Sequence, residues 1–136
     1  MNLVSIRLIT DDVARLVAFY ERVIGIAATW STPDFAELST SSGTLAIGST
    51  RTVATFAPGS AAPAANRSAI VEFIVDDVDD AYEELLTGLN DVVTPPTTMP
   101  WGNRSLVVRD PDGTLVNLFT PVGNDAVAKF AGVARA

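Results

Sequence analysis

The chain contains no histidine and no cysteine among its 136 residues. Without histidine it lacks the side chain that most often acts as a general base near neutral pH, and Ser-His and Cys-His nucleophile pairs are excluded. Without cysteine it can form neither a disulfide nor a thiolate metal ligand. Together the two absences remove the usual protein ligands of zinc and iron.

Basic residues and long apolar runs are also scarce. The chain has nine lysine and arginine residues and 16 acidic residues, which gives a net charge of −7. A polyanion such as DNA is repelled by this charge, whereas a cationic small molecule is attracted. No window approaches the roughly 20 apolar residues of a membrane span, and the start lacks a basic region followed by an apolar run. We therefore expect a soluble cytoplasmic protein that binds neither nucleic acid nor membrane.

The first half of the chain predicts the order β-α-β-β-β. Residues 2–10, "NLVSIRLIT", have the composition of a strand and lead into Asp11-Asp12, which suit a helix N-cap. Apolar residues at a spacing of three and four then predict a helix over residues 12–25, closed by Gly25. Three β-rich runs follow, "AATWS", "FAELST" and "TLAIGST".

The second half repeats this pattern after a stretch of small residues. "APGSAAPAANRS", residues 57–68, has no apolar periodicity and is interpreted as a linker. "IRLITDDV" and "VEFIVDDV" then superpose at an offset of 65 residues. A second helix with one apolar face and three further strands follow. The helix face comprises Val78, Ala81, Tyr82, Leu85 and Leu89. We predict modules at residues 2–50 and 68–121, a linker at 51–67, and a tail at 122–136 with a short helix.

The stretch "VVRDPDGTLVNLF", residues 107–119, predicts a hairpin. Asp110 opens the turn, Pro111 fixes φ at the first central position, and Asp112 suits the second. Gly113 suits the left-handed position that closes the strands. The two aspartates are thus interpreted as turn residues.

The repeated modules, the segment "DDVARLVAFYERVIGI" and the hairpin segment "MPWGNRSLVVRDPDGTLVNLFTP" resemble the vicinal oxygen chelate superfamily over residues 2–121. This superfamily includes glyoxalase I, ring-cleaving dioxygenases and bleomycin resistance proteins. The resemblance implies a single α+β domain over residues 1–136, in which tandem βαβββ modules form a U-shaped mixed sheet around a cleft. In metal-dependent members, the first and last strands of each module supply the four ligands.

The positions that match these four ligands carry Ser5, Ala46, Ile70 and Asn117. A transition metal needs imidazole, thiolate or carboxylate donors, and none of the four residues supplies one. A hard ion held by carboxylates alone remains an alternative. The resemblance is therefore greatest to the metal-free, bleomycin-resistance-like members, and we expect no metal and no cofactor.

Alternation along the strands places the ligand-matching positions on the cleft face together with Arg7, Glu72 and Phe119. Arg7 and Glu72 are equivalent in the repeat, so they either form a salt bridge between the modules or orient a ligand. Trp101 lies in the loop "PWGNR", where it either stacks on a ligand or fills the core edge. Phe35 and Phe56 are further candidates for ligand contact.

Three functions follow as hypotheses. The first is a metal-free binding protein, expected to be a homodimer, that sequesters an aromatic or cationic small molecule in the cleft. The second is a metal-independent isomerase, lyase or hydrolase with Glu72 as general base and Arg7 or Asn117 holding an oxyanion. A neighbouring arginine weakens a carboxylate as a base, which favours the first hypothesis over the second. The third is a vestigial scaffold without a ligand.

Overall fold

The computed structural model describes residues 1–135, and backbone contacts divide them into two units. The first unit comprises Met1–Arg67 and Pro111–Gly113, and the second comprises Ser68–Asp110 and the chain from Thr114 onward. Each unit contains a four-stranded mixed sheet. The order of elements is that of two βαβββ modules with a short helix after each, so the predicted α+β class and tandem modules are confirmed.

The first unit contains four strands and two helices. They are β1 (Ser5–Thr10), α1 (Val13–Ile24), β2 (Thr29–Thr32), β3 (Phe35–Ser39), β4 (Thr44–Ser49) and α2 (Thr50–Ala54). The strand order is β1-β4-β3-β2, with β1 and β4 parallel and the other neighbours antiparallel. A parallel pair needs a crossover between its strands, and α1 with the hairpin β2–β3 supplies it.

Helix α1 forms where capping signals and apolar spacing agree. The carboxylate of Asp12 accepts the backbone N–H of Arg15 at 3.0 Å, and Gly25 ends the helix in the left-handed conformation. Leu16, Val17 and Tyr20 are buried on the side that faces strands β3 and β4. One sheet face therefore forms the core with α1, and alternate residues lie on the opposite face.

The second unit repeats this arrangement. Its elements are β5 (Ile70–Ile74), α3 (Val78–Leu85) with a 3-10 turn at Leu86–Gly88, β6 (Val92–Thr98), β7 (Asn103–Arg109), β8 (Leu115–Pro121) and α4 (Asn124–Lys129). The strand order is β5-β8-β7-β6, with β5 and β8 parallel. We call the sheet face opposite α1 or α3 the distal face of each unit.

Helix α3 is fixed to its sheet at its first turn. Asp77 caps it by accepting the backbone N–H groups of Asp79 and Asp80 at 2.8 and 3.2 Å. The N–H of Val78 donates to the hydroxyl of Thr120 on β8 at 2.9 Å. Arg104 on β7 donates two hydrogen bonds to the carboxylate of Asp79, at 2.6 and 2.8 Å. Both double-aspartate segments thus act as helix starts.

The turn between β7 and β8 confirms the interpretation of its aspartates. The carboxylate of Asp110 is buried and accepts the N–H of Thr114 at 2.9 Å, while its own N–H donates to the Thr114 carbonyl at the same distance. Gly113 has φ +86°, a conformation that side-chain-bearing residues rarely adopt. The "DPDG" segment therefore builds the bend of the hairpin.

Three details differ from the sequence predictions or extend them. Helix α2 was not predicted and lies at the start of the segment interpreted as a linker. Leu89 was placed on the second helix, but that helix ends at Leu85 and continues only as a 3-10 turn to Gly88. The short helix predicted in the tail is present as α4. Over residues 1–135, no helix has the length and apolar character that crossing a membrane requires.

Candidate functional site

A carboxylate and an amide lie side by side on the distal face of the second sheet. Parallel pairing of β5 and β8 sets Glu72 opposite Asn117. The Nδ2 of Asn117 donates to the Oε2 of Glu72 at 2.7 Å. A carboxylate offers only acceptors, so this bond fixes the amide with its nitrogen toward Glu72 and its oxygen away from it. Both residues were predicted as candidates, and the structure brings them together.

Three oxygen atoms on this distal face are buried without a hydrogen-bond partner among residues 1–135. They are Oδ1 of Asn117, Oγ of Ser105 and Oδ1 of Asn103. The antiparallel register of β7 and β8 places Ser105 opposite Phe119 and Asn103 opposite Pro121, on the same face as Asn117. A buried polar atom without a partner costs about 1–3 kcal/mol. These atoms are acceptors that no residue between 1 and 135 uses, and all three are closed to solvent in this structure.

The charges on this distal face are uneven. Glu72 is exposed and its carboxylate is hydrogen-bonded by an uncharged amide. The cationic residue of the face, Arg109, lies at the turn end of β7, with its Nε 3.8 Å from the carboxylate of Asp91. The region around Glu72 and Asn117 consequently presents acceptors and negative charge.

Aromatic side chains lie at one end of the same unit. Phe119 is buried, and its ring packs against Phe130 with centroids 5.1 Å apart. Trp101 is 67% exposed in the turn between β6 and β7, so its indole does not fill the edge of the core. The Gly102 carbonyl accepts the N–H groups of Val122 and Gly123 at 2.9 and 2.8 Å, which anchors this turn to the end of β8.

The remaining candidates lie in the first unit. The guanidinium of Arg7 on β1 lies over the ring of Phe35 on β3, 5.0 Å from its centroid. Ser5 is exposed at the start of β1, two residues before Arg7 and on the same face. Phe56 follows α2 and is exposed. The predicted pairing of Arg7 with Glu72 would join the two units and stays a prediction.

Sequence reasoning missed Ser105 and Asn103. A single serine in the strand segment "RSLVVRD" does not by itself indicate a binding residue. Ser105 is notable because its hydroxyl lacks a partner, and only the structure shows this. Strand alternation along β7, applied in the same way as for β1, β5 and β8, would have placed both residues on the distal face.

The residues at the family's metal positions do not fit a transition metal. In the first unit, Ser5 offers a hydroxyl and Ala46 a methyl group, and Ala46 lies opposite the cationic Arg7. In the second unit, Ile70 is apolar and Asn117 is an amide. Over residues 1–135, no three acidic side chains are grouped as metal ligands. With no imidazole or thiolate in the chain, this donor set does not balance the charge of a transition metal.

The chain belongs to the glyoxalase/bleomycin resistance protein/dioxygenase superfamily, because the model of that family matches residues 2–118. This confirms the resemblance drawn from the repeated modules and the hairpin. No curated protein matches the chain.

Solved structures show the same fold. A glyoxalase/bleomycin resistance protein/dioxygenase from Nocardioides is 23% identical with a TM-score of 0.74, over 91% of this chain and 85% of the other. A family enzyme from Burkholderia phytofirmans PsJN is 19% identical with a TM-score of 0.76, over 90% of this chain and 100% of the other. TioX from Micromonospora sp. ML1 is 25% identical with a TM-score of 0.67, over 90% and 100%.

Proposed function

We propose that this protein binds a cationic small molecule with an aromatic or apolar part, without a metal ion and without transforming it. The observation that carries the proposal is the hydrogen bond of 2.7 Å from Asn117 to Glu72 on the distal face of the second sheet. It leaves the exposed carboxylate of Glu72 as an acceptor beside the amide of Asn117, whose oxygen is buried without a partner. A ligand with a positive charge or several N–H donors is complementary to such a pair.

Two further features support a cationic ligand. The unpartnered oxygens of Ser105 and Asn103 lie on the same distal face, and they gain hydrogen bonds from a donor once the side chains that cover them move aside. The net charge of −7 raises the concentration of cations near the protein and favours their association. The same net charge disfavours an anionic ligand.

The aromatic part of the proposal rests on Trp101 and Phe119. Trp101 presents an exposed indole, which can stack on a planar group or hold a cation over its face. Phe119 follows Asn117 on the same face of β8, where it is buried against Phe130 and forms the apolar base of this face. The homodimeric state and the cytoplasmic location expected from the sequence belong to the same proposal.

Catalysis by Glu72 is less well supported. A general base of this kind needs a nearby donor for the oxyanion that forms on the substrate. Asn117, a predicted oxyanion holder, directs its amide nitrogen at Glu72 itself. A binding protein is therefore the better description of this geometry.

The test is a titration with benzyltrimethylammonium, followed by the fluorescence of Trp101. The Trp30→Phe variant serves as background, since it leaves Trp101 as the single tryptophan. In this background Glu72→Gln is expected to raise Kd about tenfold, because it removes the charge opposite the cation while a glutamine oxygen still accepts from Asn117.

The matched control is Glu83→Gln, which removes an exposed carboxylate of α3. It is expected to leave Kd within twofold of the background value. Benzyl alcohol serves as the neutral probe and is expected to bind the background chain and its Glu72→Gln variant equally weakly. If Glu72→Gln and Glu83→Gln had the same effect on benzyltrimethylammonium, the proposed site would be wrong.

A further inference from the structure

The first unit carries a guanidinium in an unusual setting. Arg7 lies over Phe35, and Phe35 in turn lies against Gly48 on β4. A Cβ at Gly48 would be 3.4 Å from the Phe35 ring and 2.8 Å from the hydroxyl oxygen of Thr52. A side chain at this position would clash with the Thr52 hydroxyl, whereas the Phe35 ring lies at ordinary contact distance from the strand. The ring then forms a fixed platform beneath the Arg7 side chain.

The hydrogen-bond donors of the Arg7 side chain are not used by the described residues of the first unit. No hydrogen bond or ion pair joins the Arg7 side chain to another described residue of the first unit, and this side chain is exposed. Stacking on a ring occupies the face of a guanidinium and leaves its N–H edges available. Such an edge matches a carboxylate, which can accept two parallel hydrogen bonds.

An anionic residue, Glu37, lies on the same distal face two strands away from Arg7. Ala46 of β4 pairs with Arg7 on one side and with Glu37 of β3 on the other. Adjacent strands are about 4.8 Å apart, so the backbones of Arg7 and Glu37 are separated by about 10 Å. No ion pair joins Arg7 and Glu37 among the described residues, and the small side chain of Ala46 lies between them.

We propose that the row Arg7–Ala46–Glu37 is a binding site for a zwitterion of the amino-acid type. The ligand carboxylate accepts from the N–H edge of Arg7, its ammonium group donates to Glu37, and its apolar part packs near Phe35. An amino-acid group with one charge-assisted hydrogen bond of about 2.8 Å at each end matches the spacing of the two side chains.

This site differs from the cation site proposed above. It lies on the other sheet, it requires a negative as well as a positive charge on the ligand, and it does not use Glu72. Arg7 and Phe35 were candidates from the sequence, whereas Glu37 became one only when the register placed it in line with Arg7.

The experiment compares three probes with the same aromatic body: L-phenylalanine, 3-phenylpropionate and phenethylamine. Backbone amide shifts measured by NMR give Kd and also locate the binding, since residues of β1, β3 and β4 report on this site and those of β5 and β8 on the other. L-phenylalanine is expected to bind the first unit at least about tenfold more tightly than either singly charged probe.

Variants of Arg7 and Glu37 then test which charge of the ligand each residue binds. Arg7→Met is expected to abolish the preference for L-phenylalanine over phenethylamine. Glu37→Gln is expected to abolish the preference for L-phenylalanine over 3-phenylpropionate. Arg22→Met removes an exposed cation of α1, and it is expected to preserve both preferences. Glu72→Gln is also expected to preserve both preferences. The test of the zwitterion site therefore does not depend on whether the cation site around Glu72 exists.

The proposal is overturned if the three probes bind the first unit with equal affinity. It is also overturned if L-phenylalanine shifts the amides of β5 and β8 alone, or if Arg7→Met and Arg22→Met have the same effect. The amide spectrum of each variant shows whether it is folded, so a loss of preference in a folded variant is a loss of recognition.

Discussion

At the scale of single residues, Asn117 determines which groups the distal face of the second unit presents, because its amide nitrogen donates to Glu72. Its place on the distal face follows from strand alternation and from its distance to the hairpin glycine, and both are visible in the sequence. Its partner Glu72 was predicted separately, as the counterpart of Arg7. That the two side chains bind each other depends on the register of β5 against β8, which the sequence alone does not specify.

The unpartnered hydroxyl of Ser105 leads to a prediction about stability. Ser105 is 2% exposed and its Oγ has no partner among residues 1–135. Ser105→Ala removes a buried polar atom that gains nothing in the folded state. The free energy of unfolding is therefore expected to stay unchanged or to rise by up to about 1 kcal/mol, as measured by urea denaturation.

The matched comparison is Thr120→Val in the same unit. The Thr120 hydroxyl accepts from the N–H of Val78 at 2.9 Å and donates to the carbonyl of Val75 at 3.2 Å. Its removal leaves a helix N–H without a partner and is expected to cost about 1–3 kcal/mol. If Ser105→Ala destabilised the chain as much as Thr120→Val, the Ser105 hydroxyl would have to be hydrogen-bonded in solution.

At the scale of elements, the strands and long helices were predictable because their signals are local. Asp12 and Asp77 cap their helices, apolar residues recur at helical spacing, and turn residues mark the hairpin. Helix α2 has no such periodicity over its five residues, so it was missed. Helix α3 was predicted too long because Leu89 continues the apolar spacing after the helical hydrogen bonding has ended.

The contact between α3 and β7 gives a prediction about pH. The hydrogen bonds from Arg104 hold the pKa of Asp79 below its ordinary value of 3.8. A lowered pKa in the folded state means that the contact stabilises the protein above the ordinary value and is lost as the pH falls below it. Asp79→Asn is expected to lower Tm at pH 7, and this difference is expected to shrink as the pH falls below 3.8.

Asp80→Asn is the control for this experiment. Asp80 also lies in the first turn of α3, so its removal changes the interaction with the helix dipole to a similar extent, but Arg104 does not bind it. Both aspartates are exposed, which limits the size of either effect. A Tm profile for Asp79→Asn that paralleled that of Asp80→Asn over the whole pH range would show that the Arg104 contact adds nothing.

At the scale of the whole molecule, family membership and amino-acid composition lead to different expectations about metal binding. The chain belongs to a superfamily with metal-dependent members, yet its sequence contains neither histidine nor cysteine. The module repeat was predictable because both copies keep their caps and strands. The chemistry of the distal faces was less predictable, because each face combines side chains from three or four strands whose register the sequence does not specify.

The donor set predicts how the protein responds to metal ions. A metal that binds the folded state raises Tm by mass action. Mn²⁺, Ni²⁺ and Zn²⁺ are each expected to leave Tm unchanged, and prior dialysis against EDTA is expected to leave both Tm and benzyltrimethylammonium binding unchanged. A saturable rise in Tm with any of the three ions, reversed by EDTA, would contradict the metal-independent proposal.

The cross-strand rows of the two modules have one further consequence. Position for position, the first module carries Arg7, Ala46 and Glu37 where the second carries Glu72, Asn117 and Val107. The two copies share a backbone, but the side chains at matching places have opposite or unrelated chemistry. An artificial chain made of two copies of the same half would regain internal symmetry. Such a chain would carry the same cross-strand row twice, whereas this protein carries one row with a cation and an anion and a second row with a carboxylate and an amide.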